Sequence, residues 1–143
     1  MTTQADLDEV EVITRLLTQT STWAVVGLSD NPRRAAFDVA AFLQRQGKRI
    51  IPVHPKARHT PFVVHGEAGV ASLADIDEPV DVVDVFVRSE LAGQIADEAI
   101  AIGAAAVWFQ LGVIDAAAAA RVRAAGMDMV VDRCPKIEWP RLG

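Results

Sequence analysis

Apolar positions along the chain recur first at helical spacing and then in short blocks. Over residues 5–19, Leu7, Val10, Ile13, Leu16 and Leu17 share the spacing of one helix face and predict an amphipathic helix. From residue 23 the pattern changes. Compact apolar runs predict strands over 23–26, 49–53, 80–87, 104–109 and 127–131, and helical patterns fill 35–46, 90–102 and 116–125 between them. Val39, Phe42 and Leu43 mark the inward face of the first of these helices. Gly47, Gly103 and Gly126 stop the three helices, and Ser89 and Asp115 read as N-caps of the second and third. Pro52 belongs near the end of its strand or at an irregularity, because it has no N–H for a ladder. Residues 54–79 are the least regular, with a short extra strand expected over 62–64 and a helical turn over 72–76.

Apolar strands alternating with helices imply a parallel sheet covered on both faces. Right-handed crossovers then restrict the topology. The expected fold is α/β: a Rossmann-like, five-stranded parallel sheet of order 3-2-1-4-5 with helices on both faces. It forms a single domain over 1–143, with 1–20 as an N-terminal helical extension. The chain's 143 residues suit one domain, and 51% apolar residues suffice for a core.

Charge narrows the partners. A net charge of −5 argues against nonspecific nucleic-acid binding, which needs a basic face, yet leaves room for a local cationic pocket. The acidic N-terminus does not read as a signal peptide, and no window approaches 18 uninterrupted apolar residues, so no membrane association is expected. The single cysteine, Cys134, excludes an intramolecular disulfide and suits a cytoplasmic location.

In sheets of this kind ligands bind beyond the carboxyl ends of the strands, where the strand order reverses. The segments to read are therefore 27–34, 54–58, 86–90, 110–114 and 132–136. The first, Gly27-Leu28-Ser29-Asp30-Asn31-Pro32-Arg33-Arg34, leads straight into a helix. The N–H groups at a helix start attract anions, so Ser29, the backbone and Arg33 or Arg34 suit a phosphate. A plain turn is the simpler alternative. The glycine-rich dinucleotide fingerprint is absent, since only Gly27 is present. Where an acid would hold an NAD ribose, the chain has His54-Pro55-Lys56-Ala57-Arg58. Cations there suit NADP or the 3′-phosphate of coenzyme A (CoA), with a solvated loop as the bland alternative. Phe86 and Val87 could wall a nucleotide or pantetheine, and Gln110 and Gly112 could let a ligand approach the backbone. Core packing is the simpler reading of Phe86, and a simple turn that of Gln110 and Gly112.

Taken together, Gly27-Leu28-Ser29 through Pro32, Pro52-Val53-His54-Pro55, Val82-Val83-Asp84-Val85-Phe86, Val107-Trp108-Phe109-Gln110-Leu111-Gly112 and Asp132-Arg133-Cys134 resemble the small bacterial and archaeal CoA-binding domain proteins. These look like the N-terminal domain of the succinyl-CoA synthetase α subunit standing alone. The resemblance runs from about residue 15 to the C-terminus. It implies binding of CoA or an acyl-CoA, with Gly27, Ser29 and Arg33 at the phosphates and Val53, Pro55 and Lys56 around the adenosine 3′-phosphate. Phe86, Val87 and Arg88 would line the nucleotide, and Gln110 would lie toward the pantetheine. Many relatives have Asn where His54 stands and Arg where Val87 stands. The synthetase's phosphorylated histidine lies in a later domain, so the resemblance does not carry ligase activity.

No catalytic constellation is evident. His54, His59 and His65 are spaced unlike common metal sites and read as exposed loop residues. Asp81 and Asp84 lie three apart on a strand, on opposite faces, which suits strand-edge or capping roles rather than an acid–base pair. Cys134 falls on the ligand side. A buried structural thiol is the simple reading, and a mixed disulfide with pantetheine, helped by Arg133 and Lys136, is the sharper one. The expected function is non-catalytic binding of free CoA or a CoA thioester. An NADP-binding oxidoreductase-like module and a ligand-free protein-interaction module stay open as alternatives. On this reading Lys56→Glu weakens CoA more than dephospho-CoA, and Gly27→Val fills the space near the pyrophosphate.

Overall fold

The computed structural model describes residues 4–142, with side chains from residue 8 onward. Helix α1 (Gln4–Gln19) leads into strand β1 (Thr22–Val26), helix α2 (Ala35–Arg45) and strand β2 (Arg49–Val53). The hairpin β3 (Val63–Val64) and β4 (Glu67–Ala68) follows, then β5 (Val82–Val85), α3 (Ser89–Ala101), β6 (Ala106–Phe109), α4 (Ala116–Ala124), β7 (Asp128–Val130) and the short α5 (Pro135–Glu138). The periodicity locates every main element, and each of the three central helices ends at its expected glycine. Leu7, expected on the inner face of α1, lies outside the described side chains. Ile13, Leu16 and Leu17 are buried, whereas Val10 is exposed.

The main sheet is fully parallel, in the order β2-β1-β5-β6-β7. Counting only its five strands, this is 2-1-3-4-5, which corrects the expected 3-2-1-4-5. Pro52 shows the reason. Val53 accepts from Gly27 N–H on the β1 side, so the neighbouring Pro52 directs its backbone to the opposite, outer side, where its carbonyl accepts from Val70. In the expected order another strand would run along that side and need the N–H that Pro52 lacks. The chain instead leaves β2 as an edge, meets it with one isolated bridge at Val70, and crosses back to place β5 beside β1.

This reversal puts helices on both faces. Right-handed crossovers running in opposite directions from β1 need opposite sides of the sheet. Helix α2 joins α1 and α5 over one face, where Leu17, Trp23, Leu43 and Trp108 are buried. Helices α3 and α4 cover the other, over Val83, Val85, Val107 and Phe109. The central strands β5 and β6 are buried at every position. Fully burying each such aliphatic side chain contributes about 1.5–3 kcal/mol. Trp23 and Trp108 pack with ring centroids 5.6 Å apart, and each indole N–H is satisfied, to Thr20 Oγ1 and to the Arg133 carbonyl.

The two aspartates of the third strand part company. Asp81 accepts the N–H groups of Ser21 and Thr22 at 2.8 and 2.9 Å, capping the start of β1 as expected. Asp84 has no edge or capping role. It stands in register between Val25 and Trp108 in the middle of the sheet, fully buried, and neither carboxyl oxygen has a hydrogen-bond partner. Burial raises its pKa well above the ordinary value, which favours the neutral carboxyl.

Candidate functional site

A cleft of about 980 Å³ opens along the carboxyl ends of the strands. It begins beside His54 and Pro55 after β2, passes Gly27 after β1 and Phe86 after β5, and reaches Gln110 after β6. Its centre is the point where β1 and β5 part, the chain from β1 entering α2 on one face and the chain from β5 entering α3 on the other. This is the switch point at which open α/β sheets bind ligands.

At the centre the two strand ends are pressed together. Phe86 N–H donates to Val26 and Gly27 N–H to Val53, both at 2.8 Å. Gly27 has φ +99°, and a Cβ there would lie 2.5 Å from the Phe86 carbonyl oxygen. The glycine is demanded by the protein's own backbone before any ligand is considered.

Helices α2 and α3 both start at the cleft without a side-chain cap. Arg34 is the N-cap residue of α2 and Arg88 that of α3, and neither makes a capping hydrogen bond. In contrast, Asp115 caps α4 by accepting from Ala118 N–H, as expected. Ser89, expected to cap α3, is its first residue. Its hydroxyl donates to the Gly112 carbonyl and accepts from Ile114 N–H, which ties the loop after β6 to the start of α3. Two helix N-termini therefore meet the cleft with positive ends and a cationic residue each.

Of the residues expected at the site, Gly27, Ser29, Val53, Pro55, Phe86, Val87, Arg88 and Gln110 line the cleft. Arg33 and Lys56 do not. Asn31 Oδ1 accepts from Arg33 N–H in a local turn, which leaves Arg34 as the residue at the helix start. Lys56 Nζ pairs with Asp30 at 2.6 Å and lies over the Phe62 ring. The segment Pro55–Arg58 is a 3₁₀ turn, so positions 55 and 58 share a side and both line the cleft while 56 is turned away. The signal was legible: His54 followed by proline is a helix start, and a three-residue period from Pro55 selects Arg58. The site face of α3, Leu91, Gln94, Ile95 and Glu98, was missed; its spacing is that of an ordinary packing face.

The histidines serve the loops. His54 Nδ1 accepts from Lys56 N–H at 3.0 Å, and burial, then the Lys56 charge, lowers its pKa. A neutral ring with the proton on Nε2 follows. His65 is bonded at 2.7 Å to the Phe37 carbonyl and packs at a tilt against the Phe37 ring, so of the three only His59 is the exposed loop residue expected. Among the described residues no group of three or more His, Cys, Asp or Glu side chains could hold a metal ion. No helix of the described residues is long and apolar enough to cross a membrane.

Cys134 also lines the cleft, and is buried. The cations expected to act on it are engaged elsewhere. Arg133 pairs with Glu9 at 3.2 Å and Glu138 at 3.7 Å, and Lys136 with Asp38 at 2.5 Å.

A doubly wound parallel sheet with a cleft and cationic helix starts at its switch point defines a Rossmann-like α/β domain with a candidate ligand cleft. The chain belongs to the CoA binding domain family, whose model matches residues 21–140. It is 36% identical over 125 residues to the Bacillus subtilis (strain 168) protein YneT, covering 87% of this chain and 90% of that one. A Thermus thermophilus structure, cell-free ID.343, shares 35% identity at a TM-score of 0.85, covering 94% of this chain and 98% of that one. A hypothetical protein from Pyrococcus horikoshii OT3 shares 34% at the same TM-score, with 93% and 91% covered. The dinucleotide-forming acetyl-coenzyme A synthetase 1 of Ca. Korarchaeum cryptofilum, 20% identical with a TM-score of 0.65, shares the fold over 80% of this chain and 26% of its own length.

Proposed function

We propose that the chain acts as one domain that binds CoA or an acyl-CoA in this cleft without catalysing a reaction. The observation that carries the reading is the cleft's polarity. Arg34 and Arg58 stand at the β1–β2 corner beside the start of α2, apolar walls such as Val26, Val53 and Phe86 follow, and the buried amide of Gln110 lies beyond them. An anionic, phosphorylated nucleotide at one end and a neutral amide-bearing arm toward the other match that order. The ribose 3′-phosphate falls to Arg58, which takes the place that sequence reasoning assigned to Lys56, and the pyrophosphate to Arg34 and the α2 N-terminus. Lys56 keeps Asp30 neutralised beside them.

Calorimetric titration with CoA, dephospho-CoA and NADPH tests this. CoA is expected to bind, dephospho-CoA more weakly, and NADPH not at all. A lost charge-assisted hydrogen bond costs about 1.5–3 kcal/mol, so Arg58→Glu should weaken CoA roughly 10- to 150-fold and dephospho-CoA much less. Equal weakening of both ligands removes the 3′-phosphate assignment. Absence of CoA binding in the folded wild-type protein overturns the reading.

A further inference from the structure

We propose that the cleft holds the sulfur end of CoA beside Cys134, and that Cys134 exchanges with the disulfide form of CoA into a reversible mixed disulfide. The proposal rests on the CoA reading above and adds a covalent, redox-dependent step at its far end. Cys134 reaches the cleft because the chain turns back after β7. Asp132 adopts a left-handed conformation, φ 61°, and its Oδ1 accepts from Gly112 N–H at 2.8 Å. Arg133 then bonds across to β6, its N–H to the Phe109 carbonyl and its carbonyl to the Trp108 indole. The next residue, Cys134, is thereby held over the end of β6, 6% exposed and facing the cleft.

A second observation at the same end points to a ligand. Gln110 follows β6 directly, is itself 6% exposed, and lines the cleft, and its Oε1 has no hydrogen-bond partner. A buried acceptor without a donor is costly unless a ligand supplies one. The pantetheine arm carries amide N–H groups, and the one nearest the sulfur is separated from it only by the cysteamine ethylene. An N–H donated to Gln110 Oε1 therefore leaves the thiol beside the one cysteine of the chain.

The step is thiol–disulfide exchange with the symmetrical disulfide of CoA as co-reactant. Cys134 Sγ, as thiolate, attacks one sulfur of that disulfide. The CoA S–S bond breaks, the Sγ–S bond forms, and the departing CoA thiolate takes up the proton that Cys134 released. One disulfide is consumed and one formed, so no further oxidant is needed, and free thiol reverses the reaction.

The test incubates reduced protein with CoA disulfide or, separately, with glutathione disulfide, and follows intact mass, while calorimetry measures reduced CoA on the same sample. The expected result is CoA binding, a gain of one CoA per chain reversed by dithiothreitol, and a rate at least about tenfold above that with glutathione disulfide, because the cleft holds the reactants together. Arg58→Glu should slow the reaction with CoA disulfide far more than that with glutathione disulfide. Binding of reduced CoA with no mass gain, or equal rates for the two disulfides, overturns the proposal and leaves the CoA reading standing. No binding of reduced CoA overturns both.

Discussion

Gly27→Val is expected to lower the melting temperature by roughly 5–20 °C, as read by circular dichroism. A left-handed backbone costs a non-glycine residue about 1–2 kcal/mol, more when it is β-branched. The new Cβ would lie 2.5 Å from the Phe86 carbonyl oxygen and 3.1 Å from its carbon. That carbonyl cannot retreat, because Phe86 N–H is bonded to Val26 in the same ladder. Overpacking adds about 1–3 kcal/mol, and each kcal/mol is worth about 2–4 °C in a chain of this size. Gly112→Ala is the matched control. Its φ is +79°, but no atom lies within 4 Å of the added carbon, so only the conformational cost applies. A melting temperature for Gly27→Val equal to that of Gly112→Ala would show that β1 and β5 are not clamped at this point. The added carbon meets the protein's own backbone before any ligand.

Asp84→Val should stabilise the protein, and by more as pH rises. The Asp84 carboxyl lies between Val25 and Trp108 with no hydrogen-bond partner, and an unsatisfied buried group costs about 1–3 kcal/mol. Its strand already carries valine at 82, 83 and 85. Because the folded-state pKa is raised, the native protein keeps its proton at pH values where the unfolded chain has released it. Stability contributed at this position is therefore largest below the ordinary carboxyl pKa of 3.8 and falls as pH climbs from there toward the raised value. Asp30, Asp38 and Glu78 act with the opposite sign. Their pKa values are lowered by hydrogen bonds to Lys56, Lys136 and Arg49, so the stability they contribute is lost as pH falls. Both proteins keep those three, so the difference in melting temperature between wild type and variant isolates Asp84. That difference should be smallest near pH 4 and grow in favour of valine toward neutral pH, where it reaches several degrees. A valine variant no more stable than wild type, or a difference independent of pH, would overturn the account.

The alternation of strand and helix, the glycines that end α2, α3 and α4, and the Asp115 cap were legible in the sequence because each depends on residues a few positions apart. A period of 3.6 or a compact apolar run is a property of the local chain, as is the turn chemistry that stops it. The family was legible for a related reason, since its motifs are short runs along the carboxyl-terminal parts of the strands and the loops that follow them. The strand order was not read correctly, although Pro52 carried part of the answer: a missing N–H directed outward marks an edge only once it is known which residue faces β1, and that register is non-local. The candidate site was legible as a set of loops and only partly as a set of side chains. Arg34 in place of Arg33, and Arg58 in place of Lys56, follow from where one helix begins and from the three-residue period of one turn. Asp84 illustrates the limit most clearly. Its neighbours Val25 and Trp108 lie far away along the chain, so no local pattern distinguishes it from Asp81, which finds two N–H partners where Asp84 finds none. Local periodicity determines which elements form; which elements become neighbours, and so which polar groups are satisfied and which face the cleft, depends on long-range pairing that no short window of sequence contains.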